Sequence, residues 1–304
     1  MDVLNAVLTQ IITYTTVYTL ASLGVVVAGR TGVFNVAGEG IMLASASAGF
    51  IAAFLSGNWA VGFLFGALMG AVLGGLLIFL HELFKVNQFI LGVSIVILGS
   101  GLSDLLYKLV MGVRLQAPAA PLTPRIRIPF VEDVPILSSV FNHDAIVYVM
   151  YAAVIASWWF FYRTKRGLET RAIGENPTAA DVVGVNVLRR RVVATVLGAA
   201  LIGLAGAYLP IVIIETYSPD IAAGRGFMAI GIAIFASWKP QRAIVGGFLF
   251  ATIEVLSFQL QILSDRIPFQ FFLMMPFIAV LLVMVVFKRT IEFPASVGKP
   301  YSRE

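Results

Sequence analysis

Eight stretches of this chain, at 4–28, 38–56, 59–80, 89–112, 144–162, 192–214, 243–263 and 269–287, are mostly apolar, and a shorter one lies at 226–237. Each long stretch approaches the length, about 20 residues, at which a helix crosses a bilayer. In lipid a backbone must satisfy its own amides and carbonyls, and a helix does so within one segment. The expected fold is therefore an all-α, polytopic transmembrane helical bundle of about nine spans (eight to ten), one short or broken, forming a single domain over 1–304.

Composition agrees. Hydrophobic residues make up 59% and charged residues 12%, against about 25% charged in soluble domains, and mean hydropathy is +0.94. The net charge of +5 sits in loops beside apolar spans, where membrane topology accounts for it. No basic, aromatic-interleaved patch argues for nucleic acid; the surroundings are membrane lipid.

Several chemistries are excluded. There is no cysteine, so no disulfide or thiolate site. His81 and His143 lie on different segments without the spacing of a metal pair, so no metal site is expected. No nucleophile, base and orienting group occur as a set, and the chain is not expected to be an enzyme. It has no Gly-x-x-x-x-Gly-Lys-Ser/Thr loop, so ATP and Mg would be held by a partner subunit. The N-terminus lacks a signal-peptide pattern, and 4–28 reads as a retained span.

Orientation follows from basic residues at span ends. Residues 163–191 carry seven bases (Arg163, Lys165, Arg166, Arg171, Arg189, Arg190, Arg191) and three acids (Glu169, Glu175, Asp181), which places this loop in the cytoplasm. Lys288, Arg289, Lys299 and Arg303 place the C-terminal tail on the same side. An even number of crossings must separate them, and the short run 226–237 supplies the fourth. Tracing backwards puts 81–88 and Arg30 inside, and both the loop 113–143 and the N-terminus outside. Arg114, Arg125 and Arg127 mildly oppose that placement; Pro118, Pro121, Pro124, Pro129 and Pro135 read as an ordered external cap or a turn-rich loop.

Glycines at steps of four on the third span (Gly62, Gly66, Gly70, Gly74, with Gly75), and Gly198, Gly203 and Gly206 on the sixth, allow close helix approach, and packing alone accounts for them. Asp104 and Lys108, four apart in the favourable order, are expected to pair with each other.

Three segments carry a resemblance: Gly29-Arg30-Thr31-Gly32-Val33-Phe34-Asn35-Val36-Ala37-Gly38-Glu39-Gly40, the stretch from Arg171 to Val185, and Gly224-Arg225-Gly226-Phe227-Met228-Ala229-Ile230-Gly231-Ile232-Ala233-Ile234-Phe235. Together they resemble inner-membrane permeases of ABC importers in the ribose and branched-chain amino acid permease family. With Ala236-Ser237-Trp238-Lys239-Pro240, the third looks most like the nucleoside-importing branch served by a basic-membrane-protein lipoprotein. The resemblance implies a second, homologous permease chain, two ATPase domains, an extracytoplasmic binding lipoprotein or periplasmic protein, and a coupling segment at Arg171, Gly174, Glu175, Asn176, Pro177, Ala180 and Gly184.

The local chemistry of that segment points the same way. Asn176 can cap a helix, Pro177 fits its first position, and Gly184 can end it in a left-handed cap, giving a short helix over 178–183. Its small face would enter a groove on an ATPase, with Arg163, Lys165, Arg166 and Arg189 to Arg191 at the lipid headgroups.

Candidate pathway residues are Asn35, Glu39 and Glu254. Asn35 and Glu39 stand at the start of the second span, either in a broken helix lining the path or in a cytoplasmic-end cap. Glu254 falls near mid-depth, where an unpaired acid is expected to stay protonated. The Gly-Arg pairs at 29–30 and 224–225, each before an interrupted segment, are compatible with an inverted repeat. The expected activity is alternating-access import of nucleosides or related purine or sugar compounds, driven by partner ATPases. The alternative is an ion-coupled secondary transporter that uses Glu254.

Overall fold

The computed structural model describes residues 2–112, 118–126, 135–263, 268–287, 292–299 and 301. Arg114, Arg127, Pro129, Lys288, Arg289 and Arg303 lie outside them. Twelve helices follow one another among the described residues: α1 (Asp2–Gly29), α2 (Gly38–Ser56), α3 (Trp59–Phe84), α4 (Gln88–Met111), α5 (Pro135–Phe141), α6 (Ala145–Arg163), α7 (Lys165–Glu175), α8 (Pro177–Val182), α9 (Val187–Tyr208), α10 (Arg225–Phe235), α11 (Pro240–Leu263) and α12 (Phe269–Val286). A π-helical turn, Leu209–Ile213, extends α9. Eight of these helices are long and apolar enough to cross a membrane, and α10 is the short apolar one.

Boundaries moved where local capping outweighed composition. Asn186 accepts the amide of Arg189 (2.9 Å), so α9 starts at Val187 and takes Arg189 to Arg191 into its first turns. The interval 163–191 is mostly helix, since Thr164 caps α7 and Asn176 caps α8.

The centre of the bundle is α1, 89% of whose membrane window is buried, whereas α12 is buried over only 11% of its own. Glycine decides how closely the central helices approach. A Cβ on Gly70 would meet the Ala199 carbonyl, one on Gly203 the Gly66 carbonyl, and Gly24 and Gly198 face each other across α1 and α9. Backbones that close need no hydrophobic driving force from water. Gly75 differs, for a Cβ there meets only Val196 at 3.8 Å.

Among the described residues, 30–37 and 214–224 are non-helical stretches that lead into helices starting inside the bundle. Residues 30–37 climb beside the start of α4: the Phe34 amide donates to Gln88 Oε1 (2.6 Å), and a Cβ on Gly92 would touch Val36. Helix α2 then continues along α4 in the same direction, with Gly40 against Gly99 and Ser47 Oγ donating to the Ser103 carbonyl (2.8 Å). It therefore begins about 10 Å along α4, seven residues past Gln88. Residues 214–224 mirror this from the other end, and α10 descends from mid-depth to Trp238, whose carbonyl accepts Arg30 Nε (2.6 Å).

At the end of the bundle away from Arg30, the described part of 113–143 is tied down. Ala120 donates its amide to Glu215 O (2.8 Å), Thr216 Oγ1 to Pro118 O (3.0 Å) and Ile126 its amide to His143 O (2.9 Å).

Candidate functional site: a surface helix pair and a central helix junction

At the basic end, α7 and α8 form a bent pair. Asn176 Oδ1 accepts the Ala179 amide (3.0 Å) and Pro177 opens α8. Gly184 closes it with φ of 85°, in the left-handed region that a Cβ disfavours. The orientation differs from expectation: Ala180 faces inward, 4% exposed, against Ile173 and Val187. Val182 and Val183 are outermost, 83% and 77% exposed, with Thr178 and Ala179 also exposed. Ala180 is therefore a packing residue, and the outward surface is Thr178, Ala179, Val182 and Val183.

The other members of that segment anchor it. Gly174 is buried, and a Cβ there would lie 2.5 Å from the Arg30 carbonyl. Arg171 sets its guanidinium 5.0 Å above the Tyr162 ring, and Glu175 accepts the Ala295 amide (3.4 Å). Sequence reasoning missed the role of the tail: the Ser296 amide donates to Gly174 O (2.9 Å), Ser296 Oγ to Gly174 O (2.6 Å), and the Gly298 amide to Gly32 O (3.1 Å). These bonds fasten α7–α8 to the loop that leads into α2.

Arg191 does not reach the headgroups. It is fully buried, donating to Glu82 Oε1 (3.2 Å) and to Thr31 O (3.2 Å), so it joins α9, α3 and the loop after α1. Arg190 pairs with Glu169. Burial of Arg30 lowers its pKa, because desolvation disfavours the charged form.

Deeper in, the N-termini of α2 and α10 meet. Glu39 accepts the Gly224 amide on Oε1 (2.8 Å) and the Gly226 amide on Oε2 (2.7 Å). The positive end of the α10 dipole thus faces a carboxylate. A Cβ on Gly226 would fall on the Glu39 backbone, so only glycine permits this approach.

On the far side of the same turn, Arg225 donates through Nη2 (2.6 Å) and Nε (3.1 Å) to Glu254 Oε1. Tyr18 donates to Glu254 Oε2 (2.5 Å). The expectation of an unpaired Glu254 is overturned, since a guanidinium and a phenol hold it. Arg225 was legible as part of a motif but not as its partner.

Glu39 and Glu254 are therefore brought to one junction. Asn35 is not part of it: its Oδ1 turns back to the Ala37 amide (3.0 Å), and its Nδ2 is buried without a hydrogen-bond partner among the described residues. A cavity of about 200 Å³ beside Arg225 and Glu254 is lined by Met228, Phe258, Gln261 and Phe277, and includes neither Asn35 nor Glu39.

Gly29-Arg30 and Gly224-Arg225 play different parts. The first closes α1 and binds Trp238 O; the second opens α10 at mid-depth rather than at the opposite surface. What repeats is a non-helical stretch followed by a helix N-terminus. Asp104 and Lys108 form no ion pair with each other, and Asp104 accepts from Tyr217 (3.3 Å). Both imidazoles have structural partners: His81 contacts Val86 O and Gln88 Nε2, and His143 contacts Ser139 O.

Comparison with known proteins fits this architecture. TsgC13 of Haloferax volcanii, an ABC transporter permease protein whose glucose assignment is provisional, is 35% identical over 82% of this chain and 76% of its own length. The guanosine ABC transporter permease protein NupQ of Bacillus subtilis is 28% identical over 99% and 98%. The nucleoside ABC transporter permease protein NupC of Lactococcus lactis is 27% identical over 99% and 98%. A solved ABC transporter in an inward-facing conformation superposes with a TM-score of 0.50 at 18% identity, covering 93% of this chain and 85% of that one, a likeness of fold. Residues 7–287, which hold both the surface helix pair and the central junction, match the family described as the branched-chain amino acid transport system permease component, and the chain belongs to it.

Proposed function

We propose that this multi-pass membrane subunit imports a nucleoside by alternating access, driven by two partner ATPase domains that bind ATP and Mg and press on the outward face of α8. The partners are a second, homologous permease chain and an extracytoplasmic binding lipoprotein or periplasmic protein. The N-terminus is outside, and α7, α8 and the C-terminal tail are in the cytoplasm, as the basic residues of 163–191 argue.

One observation carries the coupling reading. From α8 an unbroken series of contacts runs through Gly174 to Arg30 and Gly32, along 33–37, and through Glu39 to the start of α10. Displacement of α8 would reach both half-depth helices without first bending a full span. The ion-coupled alternative loses support from the Arg225 partner of Glu254, because a carboxylate tied to a fixed guanidinium is a poor exchangeable carrier.

For cargo, two relatives aligned over nearly their whole length are named for guanosine and for nucleosides. TsgC13 favours a sugar as the second reading. Proteoliposomes holding the full complex decide between them: ATP-dependent uptake of labelled guanosine that excess unlabelled glucose does not compete away is expected, and uptake of glucose alone would overturn the nucleoside reading. Loss of uptake on collapsing the ion gradient with ATP present would overturn the ABC mechanism.

A further inference from the structure

Between α6 and α9, at the basic end of the bundle, lies a groove of about 400 Å³ that also takes in Val27 of α1 and Thr170 of α7. Its walls are Val27 of α1, Ala156 and Phe160 of α6, and Val193, Leu197 and Leu201 of α9. Leu197 is 58% and Val193 49% exposed, so the groove opens sideways to the bilayer. Nothing in the coupling reading uses it.

From this groove we infer a binding site for one anionic phospholipid, its acyl chain lying between α6 and α9 and its phosphate at the basic mouth. The lining extends along α9 from Arg190 to Leu204, 14 residues or about 21 Å. One leaflet's hydrocarbon is about 15 Å deep, so an acyl chain fits along it.

The mouth supplies the charge. Arg190 and Thr170 line it directly. Arg189 stands one turn before Val193, Arg166 one turn before Thr170, and Arg163 three residues beyond Phe160; Glu169, paired with Arg190, is the acid among them. Arg163 lies 5.9 Å over the Trp158 ring, and Trp158 and Trp159 are both exposed, the aromatic signature of an interface level. Cations at that level attract anionic headgroups. That the leaflet is the cytoplasmic one rests on the topology proposed above.

The test uses the full-length chain expressed with its partner subunits, reconstituted in nanodiscs of phosphatidylglycerol or of phosphatidylcholine, then released into detergent for native mass spectrometry. The expected result is one retained lipid per copy, at least threefold more often from phosphatidylglycerol. L197W, at an exposed position, is expected to abolish retention of either lipid, whereas R189Q/R190Q is expected to remove the preference and keep a weak, charge-blind adduct. Equal retention of both lipids by the unaltered chain, retention unaffected by L197W, or a cross-link from a photoreactive residue at 197 to a partner subunit would each overturn the assignment. Neither readout depends on which cargo the complex carries.

Discussion

The Oε2 atom of Glu39, at the first turn of α2, lies 2.7 Å from the amide nitrogen of Gly226, at the first turn of α10. Two helices that start inside the bundle thereby share one carboxylate, which satisfies donors that a helix N-terminus otherwise leaves open. Both interruptions of the bundle end at this contact.

Replacing Glu39 with alanine leaves two buried amides without an acceptor, each costing about 1–3 kcal/mol. Thermal unfolding of the detergent-solubilised chain should show a clear loss of stability for E39A and roughly half that loss for E39Q, which keeps one acceptor oxygen. Equal melting temperatures for the unaltered chain and E39A would show that the junction contributes nothing.

The Arg225–Glu254 pair should behave as a unit. E254Q or R225Q alone strands a buried charge and is expected to cost about 3–5 kcal/mol, while R225Q/E254Q recovers part of that. A double-mutant cycle on unfolding measures the coupling directly, and additive single effects would contradict the paired geometry. Uptake by E254Q should fall together with the amount of folded protein and not beyond it.

On α8 the inward and outward faces should separate cleanly. V183D places a charge on the exposed side, so folding should persist while stimulation of the partner ATPase falls at least tenfold. A180R forces a guanidinium between Ile173 and Val187 and should expose α7–α8 to protease. If V183D couples normally, the ATPase contacts another surface.

Topology can be read without background labelling, since the chain has no cysteine. A cysteine at Ser138 should react with an impermeant thiol reagent in intact cells, and one at Thr178 only after permeabilisation. Thr178 is exposed on α8, so failure to label after permeabilisation would show it covered by a partner. The reverse pattern of accessibility would invert the orientation.

What was legible from the sequence alone was whatever depends on near neighbours. Apolar run length marked the spans, because crossing a bilayer requires about 20 residues whatever surrounds them. Asn176, Pro177 and Gly184 marked both ends of α8, because capping acts within one turn. The broken character of 226–237 was visible in its length.

Tertiary structure decided which way things face and what they touch. A helix of six residues has too few turns for its periodicity to say that Ala180 points in and Val183 out; the packing of Ile173 and Val187 determines that. The partners of Arg191 and Glu254 lie 109 and 29 residues away in the chain, and Asp104 takes Tyr217 in place of the nearby Lys108. In a low-dielectric interior a charge is held by whichever counter-group the fold carries to it. Sequence proximity has no say in that choice, so local chemistry determined the elements and long-range contact alone assembled the junction that joins them.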